Sequence, residues 1–242
     1  MAVKRFNIDG LGVVSVYKRK GTKSLKLSIS HRGEIRVVIP NWIPYKTAVN
    51  FAKSKNDWIG SQRSEVPELE FYNGQDIGRG HRLLICNDNS AKIRTQIKGT
   101  EARIYTNSNN RRSDEFHKAA YKLCLRVLKI QSKEIVLGHL KDLAEDNNFE
   151  YRALTARSLK ARWGSCNQFK DITINIFLVQ LPWELIEYVL LHELVHTKVM
   201  HHQADFWEEL SKYVSDPKSK RKEIKRYKPE LLLKARTPFE YV

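Results

Sequence analysis

The segment H-E-L-V-H at residues 192–196 constrains this chain more than any other feature of its sequence. On an α-helix, positions i and i+4 lie on the same face, so His192 and His196 can direct two imidazoles at one metal ion. Glu193 follows the first of these histidines and can reach a water molecule bound to that ion. The motif therefore predicts a helix that carries a divalent-metal site with a glutamate beside it.

The residues before the motif support this helix. Pro182 and Glu184 are typical of a helix start, because proline suits the first turn and an acid complements the positive end of the helix dipole. Apolar residues then recur at helical spacing, at positions 186, 189, 190 and 194. A second helix is predicted from Gln203 to Tyr213, so the chain has to turn between the two helices.

The third metal ligand is less sharply defined by spacing. His202 lies six residues beyond the motif and would be brought back towards the first helix by the turn. Other nearby side chains with suitable donor atoms are His201, Asp205, Glu208 and Glu209. Three histidines would hold Zn²⁺ and leave one coordination position for water, as in catalytic zinc sites. The three cysteines are far apart and form no C-x-x-C pair, which argues against a structural zinc site.

Three stretches resemble the YgjP-like metallohydrolases, relatives of the SprT and WLM zinc proteases in the gluzincin-type group. The stretches are Arg162–Cys166 with Ile174–Asn175, Tyr188–His196, and His202–Trp207. The family pattern is H-E-L-x-H, five residues, then H-x-x-x-F-W. The resemblance implies that His202 is the third ligand, because Phe206 and Trp207 fall in register with this pattern. It also implies a zinc-dependent metallopeptidase with a zincin-like fold.

Hydrolysis at such a site needs further groups. Glu193 is predicted to act as the general base for a water that attacks a carbonyl or phosphoryl centre. The oxyanion that develops needs a positive or hydrogen-bonding partner. Arg162 and Asn175 are our candidates, because both are predicted on strands beside the metal helix. Packing or solvent exposure is the alternative explanation for both residues.

The hydrophobic pattern predicts an α+β protein with two domains. Residues 1–107 contain short alternating runs around one helix, which indicates a β-rich accessory domain; the runs at 24–30 and 35–39 should pair as a hairpin. The polar stretch 107–112 is the candidate boundary. Residues 108–242 are predicted to form a compact zincin-like domain, with a long helix, a small antiparallel sheet of strands at 153–166 and 171–178, the metal helix and a basic C-terminal segment.

The net charge of +16 favours a polyanionic partner. Seven cations lie between Lys218 and Lys228, opposed by Glu223 alone. A solvated basic helix without any ligand fits these residues equally well. The start of the chain lacks the apolar run of a signal peptide, no stretch approaches the ~18 apolar residues of a membrane span, and the cysteines are dispersed. We therefore expect a cytoplasmic protein without a membrane segment.

Three functions are consistent with the sequence. The leading hypothesis is a zinc-dependent metallopeptidase acting on a peptide or protein. One alternative is a metal-dependent hydrolase of phosphoanhydrides such as nucleoside triphosphates, since the same site would activate water. The other is a nucleic-acid-binding module, through the basic C-terminal segment, with an incidental metal site. The sequence leaves the oligomeric state open, and other divalent transition metals could also bind three histidines in vitro.

Overall fold

The computed structural model describes residues 2–29, 35–64, 70–90 and 92–233 of the chain. These residues fall into two compact units, residues 1–70 and residues 71–242. Among the described residues, none of the helices combines the length and the apolar character needed to span a bilayer. The α+β class predicted from the sequence is confirmed, because each unit contains both helices and sheets.

The first unit is a four-stranded sheet packed against helices. Its strands are β1 (Ala2–Ile8), β2 (Gly12–Arg19), β3 (Lys26–Ile29) and β4 (Ile35–Pro40), in the order β1-β2-β4-β3. The predicted hairpin is confirmed, since β3 and β4 pair antiparallel, while the predicted turn at residues 30–34 lies outside the described residues. Buried valines and isoleucines of β2 and β4 pack against Ala48 and Ala52 to form the core of this unit.

The helical part of the first unit consists of two helices where the sequence predicted one. These are α1 (Tyr45–Ser54) and α2 (Asn56–Ser64). Helix α1 ends because Lys55 leaves the helical region, with φ −110° and ψ 21°. The break leaves Ile59 buried in the same core as Ala48 and Ala52.

The second unit begins with another four-stranded sheet. Its strands are β5 (Gln75–Ile77), β6 (His81–Asn87), β7 (Arg94–Lys98) and β8 (Glu101–Thr106), in the order β5-β6-β8-β7. A 3₁₀ turn at Ser108–Arg112 leads into α3 (Asp114–Gln131), which packs on β5, β7 and β8. The domain boundary near residue 107 stays a prediction; the residues on both sides of it belong to one compact unit.

Helix α3 begins where its capping residues predict. The Ser113 hydroxyl accepts a hydrogen bond from the Phe116 amide at 3.1 Å, and Asp114 and Glu115 occupy the first turn. A π-helical turn at Ser132–Val136 follows, and then α4 (Leu137–Asp146). The Ser132 hydroxyl donates to the Ile176 carbonyl at 3.1 Å, which ties this turn to the segment before the metal helix.

A three-stranded sheet and three helices complete the second unit. The strands are β9 (Ala153–Arg157), β10 (Gly164–Cys166) and β11 (Asp171–Asn175), in the order β10-β11-β9. The helices are α5 (Trp183–Val195), α6 (Ala204–Ser211) and α7 (Pro217–Ile224). The sheet is mixed where an antiparallel one was predicted: β10 is antiparallel to β11, but β9 pairs with β11 in parallel. The predicted strand 153–166 is two strands, because residues 158–163 form a loop between them.

Gln131 and Arg79 connect the β5–β8 sheet to the segment that enters α5. The Gln131 side chain accepts a hydrogen bond from the Arg79 amide at 2.9 Å and donates to the Ile77 carbonyl at 3.0 Å. The Arg79 guanidinium donates to the carbonyls of Val179 at 3.0 Å and Leu181 at 2.6 Å. The Arg79–Gln131 bond joins residues 52 positions apart and the Arg79–Val179 bond joins residues 100 positions apart, so together they hold the start of the metal helix in place.

The close packing of Gly78 against Gln131 provides a test of this connection. A methyl group at Gly78 would lie 2.2 Å from the Gln131 Oε1 atom, whereas one at Gly80 would meet nothing within 4 Å. Both glycines have positive φ, so Gly78→Ala and Gly80→Ala share the same kind of backbone strain. We expect Gly78→Ala to lose about 1–3 kcal/mol more in the free energy of unfolding, measured by urea denaturation. Equal losses would show that Gln131 does not need its observed position.

Candidate metal centre

Three imidazoles converge at the end of α5. The Nε2 atom of His196 lies 3.2 Å from that of His192 and 3.1 Å from that of His202, and the remaining pair is 3.1 Å apart. Tetrahedral coordination at metal–nitrogen distances of about 2.0–2.1 Å requires nitrogens about 3.3 Å apart. The spacing of the three nitrogen atoms therefore fits a single bound ion.

The protonation of these rings also favours a cation between them. His196 Nδ1 lies 3.0 Å from the Val199 carbonyl, which only accepts, so Nδ1 carries the proton and Nε2 presents a lone pair. Burial lowers the pKa of His192 to about 3, and the neighbouring histidines act in the same direction. Burial also lowers the pKa of His196 and of His202. Neutral imidazoles with converging nitrogens form a donor set that fits a divalent metal such as Zn²⁺.

Helix α6 fixes the orientation of the three rings. The Phe206 ring is fully buried and stacks on His196, with centroids 4.6 Å apart. Its centroid also lies 4.8 Å from those of His192 and His202. The Trp207 Nε1 donates to the His202 carbonyl at 3.2 Å. One aromatic pair thus holds the third histidine beside the two that α5 supplies.

The other side chains that spacing allowed as a third ligand lie elsewhere. His201 Nδ1 is 3.3 Å from Asp205 Oδ1, and both side chains are more than half exposed. Glu209 pairs with Lys198 at 3.2 Å. In the described part of the chain, the group of side chains placed to share a metal ion consists of His192, His196 and His202.

Strand β10 packs directly over the glutamate of the motif. Glu193 is 6% exposed, and the Cys166 backbone amide lies close enough to lower the pKa of its carboxylate. Its Oε2 atom is buried and has no hydrogen-bond partner among the described residues. A methyl group at Gly164 would lie 2.6 Å from Glu193 Oε1, so only glycine allows this approach. The strand therefore fixes one carboxylate oxygen and leaves the other free.

The surroundings of Glu193 change its affinity for a proton. Burial raises the pKa of Glu193 to about 8, while the charge of Arg162 and the Cys166 amide act in the opposite direction. A divalent cation at the three histidines would also favour the ionised carboxylate. The carboxylate is thus balanced between a buried environment that favours the neutral acid and positive charges that favour the anion.

The two residues predicted to stabilise an oxyanion occupy different positions. Asn175 is fully buried, and its Nδ2 donates to the carbonyls of Leu159 at 2.8 Å and Arg162 at 2.7 Å. Both amide hydrogens are therefore engaged, and Asn175 shapes the loop that leads into β10. Arg162 has an exposed side chain whose charge acts on Glu193, although its guanidinium makes no hydrogen bond or ion pair within the described residues.

Sequence reasoning did not single out two residues beside the centre. Tyr188 lies one turn before His192 on α5, with ring centroids 5.9 Å apart, and burial raises its pKa to about 12. Its i−4 spacing from His192 was a signal that could have found it. Arg221 of α7 lies over the Trp207 ring, 5.0 Å from the centroid. It belongs to the basic segment, but nothing in the sequence placed that segment beside the metal helix.

Comparison with known proteins places this chain in a family. A family model described as YgjP-like, metallopeptidase domain, matches residues 23–227. Two similar solved structures are the metallopeptidase zymogens of Methanocaldococcus jannaschii jannalysin and Pyrococcus abyssi abylysin. The jannalysin structure is 24% identical to this chain, with a TM-score of 0.33; the match covers 38% of this chain and 92% of jannalysin. The abylysin structure is 22% identical, with a TM-score of 0.34; the match covers 38% of this chain and 94% of abylysin. No curated protein gives a match. Because the family model spans most of the chain, the protein belongs to the YgjP-like metallopeptidase family and is a metal-dependent hydrolase.

Proposed function

We propose that this protein is a zinc-dependent metallopeptidase in which His192, His196 and His202 hold the metal and Glu193 is the general base. The observation that carries the proposal is the convergence of three neutral imidazole nitrogens beside a carboxylate with one free oxygen. When bound, the metal supplies Lewis acidity, which polarises a carbonyl and makes water nucleophilic at neutral pH.

The choice of zinc rests on the donor atoms. Three nitrogen ligands with one position left for water are typical of catalytic zinc, whereas structural zinc sites are closed by four protein ligands. The hydrogen bond from His196 Nδ1 to the Val199 carbonyl supports the same role, because it fixes the ring and its tautomer. His192 is held instead by packing against Phe206.

Glu193 is suited to carry a proton between water and the leaving group. Its free Oε2 would accept a proton from the attacking water and return it to the amine that leaves. General bases work best when their pKa lies near the working pH, and the burial of Glu193 shifts its pKa in that direction. The close approach of Gly164 to Oε1 restricts rotation of the carboxylate.

Arg162 and Asn175 receive separate roles. Arg162 remains our candidate for stabilising the oxyanion, because its guanidinium is exposed, has no described partner and acts electrostatically on Glu193. Asn175 is a positioning residue, because its amide holds the loop before β10. The phosphoanhydride and nucleic-acid alternatives draw no support from the family, which favours a peptide substrate.

The assignment of the third ligand is tested by two adjacent histidines. We expect His202→Ala to weaken zinc affinity by more than about 100-fold, since even outer-shell partners of a metal contribute about 10–100-fold. His201→Ala should retain zinc, because its ring pairs with Asp205 outside the cluster. Zinc content after dialysis, measured by mass spectrometry, distinguishes the two. The reverse result would move the third ligand to His201.

The role of Glu193 is tested by Glu193→Gln, which keeps the shape of the side chain but not its basicity. We expect zinc to be retained and turnover to fall about 10²–10⁴-fold. Zinc-loaded protein would be incubated with peptides, an unfolded protein and nucleoside triphosphates, and the products identified by mass spectrometry. If the wild type alone forms nucleoside mono- or diphosphates, the protein is a phosphoanhydride hydrolase and the peptidase assignment is wrong.

The close approach of β10 is tested by Gly164→Ala. The added methyl group has to displace the Glu193 carboxylate, and a misplacement of about 1 Å costs about 100-fold in rate. We therefore expect a loss of that size in kcat with zinc content unchanged. Gly138→Ala on α4 is the control, because a methyl group there meets nothing within 4 Å. Normal activity of Gly164→Ala would mean that the position of Glu193 does not limit turnover.

A further inference from the structure

A basic pocket opens beside the metal centre, on the side of α7. Its volume is about 270 Å³. The residues that line it are Trp207, Lys218, Arg221, Lys222 and Lys225. One aromatic residue and four cations line the pocket, and no acid is among them. The pocket would therefore attract an anion electrostatically.

The cations of the pocket are not neutralised by the described protein. On α7, Lys220 pairs with Glu223 at 3.7 Å, and Lys220 does not line the pocket. Within the described residues, the four lining cations make no ion pair with a carboxylate. Like charges held on one short helix repel one another, so a bound anion would relieve this repulsion.

The pocket shares a wall with the metal centre. Trp207 contacts the Arg221 guanidinium with its ring and donates to the His202 carbonyl with its Nε1. Helix α7 also packs against both α5 and α6. An anion in the pocket would therefore lie close to a substrate at the metal.

We propose that this pocket is a substrate subsite that binds a carboxylate of the peptide and directs cleavage to acidic peptides, with Arg221 as the main recognition residue. The inference rests on the peptidase function proposed above. A planar guanidinium matches a carboxylate with two parallel hydrogen bonds, which a lysine cannot provide. Stacking on Trp207 holds that guanidinium in place.

The size of the pocket favours a side chain over larger anions. Small-molecule sites usually occupy about 300–1,000 Å³, and this pocket is smaller. A nucleic-acid backbone is followed by an extended basic groove, whereas these four cations lie along one short helix beside Trp207. The carboxylate could belong to an aspartate or glutamate side chain or to the end of the peptide, and the experiment separates these two sources.

The test measures binding apart from turnover. Zinc-loaded Glu193→Gln protein would be titrated with labelled peptides that differ only by Asp or Asn, each with a free or an amidated C-terminus. Binding would be measured by fluorescence anisotropy. We expect the peptide with the carboxylate to bind about five- to tenfold more tightly than the matched peptide without it. If replacing Asp by Asn weakens binding, the pocket binds a side-chain carboxylate. If amidation weakens binding, it binds the C-terminal carboxylate.

Two added variants locate the effect. Arg221→Gln should abolish the preference for the carboxylate peptide. Lys220→Gln, which removes the same charge from the same helix outside the pocket, should keep it. Equal preference in both variants and the parent would overturn the proposal, as would an absence of preference in the parent. A loss of duplex-DNA binding in Arg221→Gln with unchanged peptide preference would also overturn it and assign the cations to nucleic acid.

Failure of this inference and failure of the proposed function give different results. Cleavage of peptides by the wild-type zinc protein without any preference for acidic ones would keep the peptidase and remove the subsite. Tight, Arg221-dependent binding of acidic peptides without cleavage would remove the peptidase and leave the pocket as a carboxylate-binding site only.

Discussion

The convergence of three imidazole nitrogens about 3.1–3.2 Å apart is the constraint on which the candidate metal centre depends. When all three nitrogens present lone pairs, as a metal ion requires, their convergence in a half-buried site is unfavourable without a cation. The fold nevertheless brings them together by packing, with the Phe206 ring beneath all three. A metal ion converts this repulsion into attraction, so binding of the metal and stability of the site are coupled.

The glutamate beside the histidines depends on a different contact. Strand β10 has a glycine where any side chain would overlap Glu193, and two residues later a backbone amide that lowers the pKa of the carboxylate. The loop before β10 is held by Asn175, whose buried amide bonds two of its carbonyls. Asn175, which the sequence suggested as an oxyanion donor, thus acts on the site indirectly. Its hydrogen bonds to the backbone of the loop set where β10 begins. In this way the small sheet positions the carboxylate and α6 positions the imidazoles.

Much of the architecture follows from local patterns. The alternation at residues 24–39 predicted the β3–β4 hairpin, and Pro182 predicted the start of α5. The sequence did not predict the parallel pairing of β9 with β11, because that pairing joins residues on either side of β10, such as Thr155 and Thr173, 18 positions apart. Likewise, the bonds of Gln131 and Arg79 cross long stretches of chain and have no local signal.

At the candidate site, the sequence by itself determined the helix with His192, Glu193 and His196 on adjoining positions, because helical periodicity is a local property. The family pattern added His202. Only the tertiary structure decided that Gly164 lies against Glu193, that the Asn175 amide is already engaged, and that Arg221 stands beside the histidines. Each of these contacts depends on which segments of the chain pack together. The free energy of that packing comes from many residues far apart in the sequence, so no short stretch of sequence predicts it.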